Sequence, residues 1–318
     1  MQIRLSSPDD YPALADLYTA IYPDQVVTAA ALIEADGNRN PQHQMQRWVA
    51  FRQHSMVGVG SYFQREWFYH PQKFRISVLV HPDLRKQGIG SALYDRILDG
   101  LQPLNPIALI ADTYEDRPET ICFLEKRGFE VFLRDRQLTL EIDTVDFAVY
   151  GDYLGRLQGQ GIELRSVTEL ADDPDRNPKL YELDRLISAD APQAEYAPER
   201  SLADYVDFAI SGSSALPDGF FVALHGDDYV GFTQVMLAGE QTLYQLLTGV
   251  RPDYRRKGIA LALKLRSIAH ARAAQMRTII TNNDPSNLPM LTLNQRLGFG
   301  RQPDQLFFRK ELPQGFPP

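Results

Sequence analysis

Residues 80–93 read Val-His-Pro-Asp-Leu-Arg-Lys-Gln-Gly-Ile-Gly-Ser-Ala-Leu, and residues 250–263 read Val-Arg-Pro-Asp-Tyr-Arg-Arg-Lys-Gly-Ile-Ala-Leu-Ala-Leu. Eight of these 14 positions are identical at an offset of 170, where average composition gives about one by chance. The same offset lays Gly128-Phe129 on Gly298-Phe299 without a gap. Solenoid repeats run about 20–50 residues, so a period this long is a duplicated domain. The 318 residues leave room for two, since single domains usually hold about 100–200.

The two halves predict the same order of elements. Ile3 to Leu5 is a short strand, then Ser7 is a helix N-cap with Pro8 at the first helical position. In the second half Ile162 to Arg165 and a helix around Leu180 to Ser188 play those parts. Strands follow at Arg47 to Phe51, Val57 to Phe63 and Phe74 to Val80, matched by Phe220 to Leu224, Val230 to Leu237 and Leu243 to Val250. After the Gly-rich turn, apolar residues recur at helical spacing: Ile89, Leu93 and Ile97 against Ile259, Ala262, Leu263 and Ala269. Another strand and helix lead to Gly128 and Gly298, which suit helix C-caps. A closing strand is expected near Gln137 to Ile142 in one half and Gln305 to Leu312 in the other.

Between the halves, Asp143 to Gly161 reads as a connecting helix fraying into a Gly-rich hinge. The expected domains are therefore 1–145 and 161–318, with 146–160 as linker. The formal net charge is -8, and an acidic surface repels phosphate backbones, so nucleic-acid binding is not expected. The single cysteine, Cys122, excludes an intramolecular disulfide and any multi-cysteine metal site. It lies in the apolar stretch Ile121-Cys122-Phe123-Leu124 and reads as a buried small hydrophobe. The six histidines lack metal-ligand spacing, so no metal is expected. The polar start and the absence of any long apolar run point to a cytoplasmic protein without a membrane partner.

The repeated strand–(Val-x-Pro-Asp)–Arg-x-x-Gly-x-Gly/Ala–helix pattern carries the chemistry. Its glycine lets the backbone turn tightly and present consecutive N–H groups to an anion. The following helix aims its positive dipole end at the same point. Arg85, Lys86, Arg255, Arg256 and Lys257 add charge, and the whole suits a pyrophosphate. Neither a P-loop nor the dinucleotide fingerprint is present.

With Gly-Phe some forty residues later, the pattern resembles the GNAT superfamily of acetyl-CoA-dependent N-acetyltransferases, twice over and across essentially the whole chain. The resemblance implies an α+β chain of two tandem acyltransferase domains, each a mixed, mostly antiparallel sheet flanked by helices. Two central strands splay to admit the pantetheine arm of acetyl-CoA, and acetyl passes directly to an amine in a ternary complex. It places pyrophosphate on Arg85, Lys86, Gln87, Gly88, Ile89, Gly90 and Ser91, and on Arg255, Arg256, Lys257, Gly258, Ile259, Ala260 and Leu261. Pantetheine would lie along Leu79 and Val80, and along Gly249 and Val250.

Family members often carry an Asn that touches the cofactor eleven residues before the Gly of Gly-Phe; Asn287 fills it here, and Arg117 stands in the first half. Where many carry a Tyr as the acid for the departing thiolate, this chain has Leu124 and Asn294. An asparagine amide can hydrogen-bond a thiolate but not protonate it, so Asn294 is the candidate catalytic residue. His81, at the mouth of the first motif, is a candidate base, and Tyr62, Phe63, Trp67, Phe68 and Tyr69 could wall an acceptor pocket. The leading expectation is acetyl transfer to a small-molecule amine. A non-catalytic acyl-CoA-binding or regulatory module and a protein N-acetyltransferase are the alternatives.

Overall fold

A computed structural model describes residues 1–23, 27–64, 69–190 and 201–313. The chain divides into two compact units, Met1–Leu133 with Leu306–Pro318, and Arg134–Gln305.

In the first unit, β1 (Gln2–Leu5) leads through a 3-10 turn at Pro8–Asp10 into α1 (Tyr11–Ile21) and α2 (Ala29–Gly37). Then come β2 (Met45–Arg52), β3 (Ser55–Phe63), β4 (Lys73–Val80), α3 (Ile89–Leu101), β5 (Ala108–Tyr114) and α4 (Pro118–Glu125). Strands β1 to β4 pair antiparallel in sequence order, and β4 pairs β5 in parallel. Alternation along β2 divides the core between the two faces of the sheet. Trp48 and Ala50 pack with Leu93 and Ile97 of α3, while Val49 packs with Leu14 and Leu17 of α1.

The second unit opens with most of β6 (Glu130–Glu141), followed by α5 (Tyr153–Gln158), β7 (Ile162–Ser166), α6 (Arg176–Ala189), α7 (Leu202–Val206), β8 (Phe221–His225) and β9 (Asp228–Gly239). Next are β10 (Thr242–Val250), α8 (Ile259–Ala273), β11 (Thr278–Asn283), α9 (Leu288–Arg296) and the two-residue β12 (Gly300–Arg301). Its sheet repeats the pattern: β7 to β10 pair antiparallel, and β10 pairs β11 in parallel.

The closing strands differ from the sequence expectation. In β6, Arg136 to Glu141 pair with β11, in the second unit. Strand β13 (Gln305–Glu311) follows β5 in the sheet order, and Leu306, Phe308 and Leu312 are buried in the first unit's core. Each half of the sequence thus completes the other's sheet.

The linker also departs from expectation. Apart from α5 it forms two 3-10 turns, Ile142–Thr144 and Phe147–Tyr150. Ile142, Val145, Tyr150 and Leu157 are buried in the second unit, so the apolar residues of the stretch hold it down in place of a free hinge. Cys122 is exposed, not buried. It stands two residues, about 200° of helix, from the buried Leu124, which puts it on the outer face of α4.

Candidate acetyl-CoA site

The two Gly-rich turns share one backbone. His81 and Arg251 precede short 3-10 turns, Pro82–Leu84 and Pro252–Tyr254. Arg85 and Arg255 are extended with identical angles, φ -65° and ψ 161°. Lys86 and Arg256 lie at φ 61°, and Gly88 and Gly258 at φ 82° and 84°. The glycines cap α3 and α8, whose first intrahelical bonds run from Ala92 and Ala262 back to the glycine carbonyls. The N–H groups before them have no partner within the helix and face outward at its positive end.

Space fits the same reading in the first turn, whereas a Cβ on Gly258 would run into the Tyr153 hydroxyl. A Cβ on Gly88 would meet nothing within 4 Å, and one on Gly90 would make ordinary contacts from 3.4 Å. Ala260 stands where Gly90 does. Arg85, Lys86, Gln87, Ser91, Arg255, Arg256 and Lys257 are exposed, while Ile89, Ile259 and Leu261 turn into the core. Arg85 Nε donates to the Val80 carbonyl at 3.4 Å, and Arg255 Nε to that of Val250 at 3.1 Å.

The strands leading into these turns part from their neighbours. Strand β4 pairs with β5 only from Lys73 to Arg75, and β10 with β11 only from Thr242 to Tyr244. Beyond those three pairs the strands splay, so Leu79 and Val80, and Gly249 and Val250, lie along a gap with β3 and β9 on their other side. The Gly-rich turn and the parting of its strands are thus both present, twice.

The acetyltransferase (GNAT) family model matches residues 11–129 and again 180–299. The chain belongs to this family. The family is one of acetyltransferases, with acetyl-CoA as the donor. A mycothiol acetyltransferase of Streptomyces scabiei is 33% identical over 96 residues, 30% of this chain and 31% of that protein. The mycothiol acetyltransferase of Geodermatophilus obscurus is 26% identical over 247 residues, covering 73% of this chain and 72% of its own. Among solved structures, a tandem GNAT protein from the clavulanic acid biosynthesis pathway superimposes with a TM-score of 0.73 at 18% identity, over 100% of this chain and 99% of that one.

The two GNAT copies are not equivalent. In the first, β3 and β4 pair without a slip. In the second, the β9–β10 register slips between Gln245 and Leu247, so Leu246 opposes no residue on β9. Such a bulge bends its strand and leaves backbone groups unpaired, here two residues past the last β10–β11 pair. Tyr153, from the former linker, donates its hydroxyl to the Gly258 carbonyl at 2.6 Å, and Arg255 is ion-paired to Asp190 at 2.5 Å.

Asn287 caps α9, its Oδ1 accepting from Met290 N–H at 3.3 Å, whereas Arg117 caps α4 with no side-chain bond. Asn294 is fully buried, its Nδ2 donating to Asn283 Oδ1 at 2.7 Å, and its own Oδ1 has no partner. Leu124 fills the matching place in the first core. His81 Nδ1 is 3.9 Å from Asp83 and makes no hydrogen bond. Trp67 and Phe68 lie outside the described residues.

Among the described residues no cluster is placed to hold a metal, and no helix is long and apolar enough to cross a membrane. The sequence reading missed Lys264 and Gln245. Lys264, buried in α8, has its pKa pushed down to about 7 by burial. In the sequence it stands as a lone cation between Leu261-Ala262-Leu263 and Leu265, a pattern that does not by itself distinguish a buried lysine from one that reaches water.

Proposed function

We propose that the chain transfers acetyl from acetyl-CoA to the primary amine of a small molecule, directly in a ternary complex, and that the second half performs the transfer. One observation carries the assignment. The bulge of β10 lies where its strand pair parts, next to a half that also has Asn287 and Asn294, while the first half is regular and apolar there. Asn294 keeps one amide proton free beyond its bond to Asn283, and that proton can hydrogen-bond a departing thiolate. The first half, with Gly88 open, would bind acetyl-CoA without turnover or serve as scaffold. The names of the relatives support a small-molecule acceptor related to mycothiol, and the acidic chain favours a cationic one.

The test is CoA release against a panel of aminosugars, amino-thiols, polyamines and aminoglycosides, alongside calorimetric titration with acetyl-CoA. Gly258→Glu should abolish turnover, and Gly88→Glu should leave most of it. Asn294→Ala should slow transfer by about ten-fold, one thiolate hydrogen bond's worth. Tight binding of acetyl-CoA with no turnover on any amine would establish the binding-module alternative. Loss of turnover in Gly88→Glu alone would move catalysis to the first half.

A further inference from the structure

Beneath the parting of β10 and β11 lies a group of buried polar side chains that acetyl transfer, as read above, leaves unused. Lys264 on α8 is 1% exposed and donates through Nζ to Gln245 Oε1. Gln245 Nε2 donates to Thr233 Oγ1 at 3.0 Å, and Thr233 shares a 2.6 Å hydroxyl bond with Thr248. From β11, the Thr281 hydroxyl donates to the backbone carbonyl of Gln245 at 3.0 Å. Gln245 therefore ties α8, β9, β10 and β11 together, at the residue before the bulge and just past the last β10–β11 pair. Across that opening a side chain replaces the missing ladder bond.

The first half shows that the fold does not need this network. By strand register and helix offset, Lys264, Gln245 and Thr233 correspond to Tyr94, Ile76 and Gly60. Thr248 and Thr281 correspond to Val78 and Ala111. Four of those five counterparts, Gly60 aside, belong to or pack against one hydrophobic core. A buried charge replaced by well-packed apolar residues is often neutral or stabilising, so stability does not account for the polar version.

We propose that Lys264, acting through Gln245, is the positioning residue of the second splay, fixing the bulged segment of β10 and its tie to Thr281. The inference rests on transfer taking place in the second half. Among the described residues Lys264 has no ion-pair partner to draw it away. It hydrogen-bonds Gln245 and faces the Phe299 ring, 5.3 Å from the centroid, and burial is what shifts its titration.

Lys264→Met and Thr281→Val keep shape and remove the polar atoms. Three measurements test the pair: amide hydrogen exchange over residues 244–250 in the free protein, calorimetric affinity for acetyl-CoA, and kcat for CoA release with the best amine of the panel. Both variants should speed exchange in that segment at least ten-fold, leave acetyl-CoA affinity within about three-fold, and lower kcat at least ten-fold. The double variant should fall no further than the worse single, as for two parts of one device. Unchanged exchange, or kcat within two-fold of the parent in both variants, overturns the proposal. If Lys264→Met does not fold, Thr281→Val decides alone. Gly258→Glu is the control: turnover surviving it means the half was misassigned, whereas turnover lost there but kept in both variants means that Lys264 does not position the site.

Discussion

Asp10 shows how much one well-placed carboxylate can hold. It is buried ahead of α1 and accepts bonds from both guanidinium nitrogens of Arg4 at 2.7 Å and from the Ser7 N–H at 2.7 Å. These donors favour the ionised form, and with the Arg4 bond as the largest cause they hold its pKa down at about 2. An unfolded aspartate titrates near 3.9. The depressed folded value means the group stabilises the protein fully above pH ~4 and loses that contribution as pH falls through about 2. Asp10→Asn should cost about 2 kcal/mol at neutral pH, and the denaturation midpoints of variant and parent should converge toward pH 2. A gap undiminished there would mean that packing, not ionisation, is what the carboxylate supplies. At this scale the Gly-rich turns were legible because a positive φ is a local demand that Gly88 and Gly258 satisfy wherever the turn sits. The burial of Lys264 was not, since a lone cation beside an apolar stripe reaches water in most helices. What hides it is the near-complete burial of α8, where Arg266 is the exposed residue between Leu261 and Ile268.

Among elements, the approach of α6 to β10 sets a hard limit. A Cβ on Gly249 would lie 2.1 Å from Ile187 Cγ2, and Ile187 is buried in the core under α6. Gly249→Ala should therefore destabilise the protein by about 1–3 kcal/mol through overpacking. Ile187→Ala alone should cost about 2–5 kcal/mol as a cavity. Together they should cost less than the sum, because the added methyl occupies part of the space the isoleucine leaves. Thermal or denaturant unfolding of the three variants measures the coupling, and simple additivity would place Ile187 elsewhere. Strands and helices were readable at this level because hydrophobic period and caps are sequence-local: α4 and α9 run out just before Gly128 and Gly298, whose N–H groups bond back to Glu125 and Gln295 at 2.9 and 3.0 Å. The bulge in β10 left no such mark. It shows only in how β9 pairs with β10, where Gln245 matches Ile76 and Leu247 matches Ser77, so that Leu246 is one residue more than the first repeat has.

For the molecule as a whole, the repeat is plain in the sequence while the destination of its last strand is not. Gln137 to Ile142 and Leu306 to Leu312 both read as ordinary closing strands. Which sheet each one joins depends on non-local pairing that alternation cannot encode. The exchange has a consequence for any attempt to separate the halves. Residues 1–145 include the covalent first repeat but lack Leu306, Phe308 and Leu312, which are 4%, 0% and 7% exposed within the first unit's core. Their loss strips apolar cover worth several kcal/mol, about 1.5–3 kcal/mol for each large side chain, from a domain whose total stability is of order 5–15 kcal/mol. It also leaves β5 as an open edge prone to pairing with other chains. Residues 1–145 expressed alone should therefore be aggregated or unfolded, with no cooperative thermal transition. A chain in which residues 305–313 are joined through a flexible linker after Leu133 should recover a cooperative transition and bind acetyl-CoA at its Gly88 turn. Calorimetry on both chains decides it: a monomeric 1–145 with a sharp transition would mean that β6 can replace β13 in the first sheet, and that the exchange is optional.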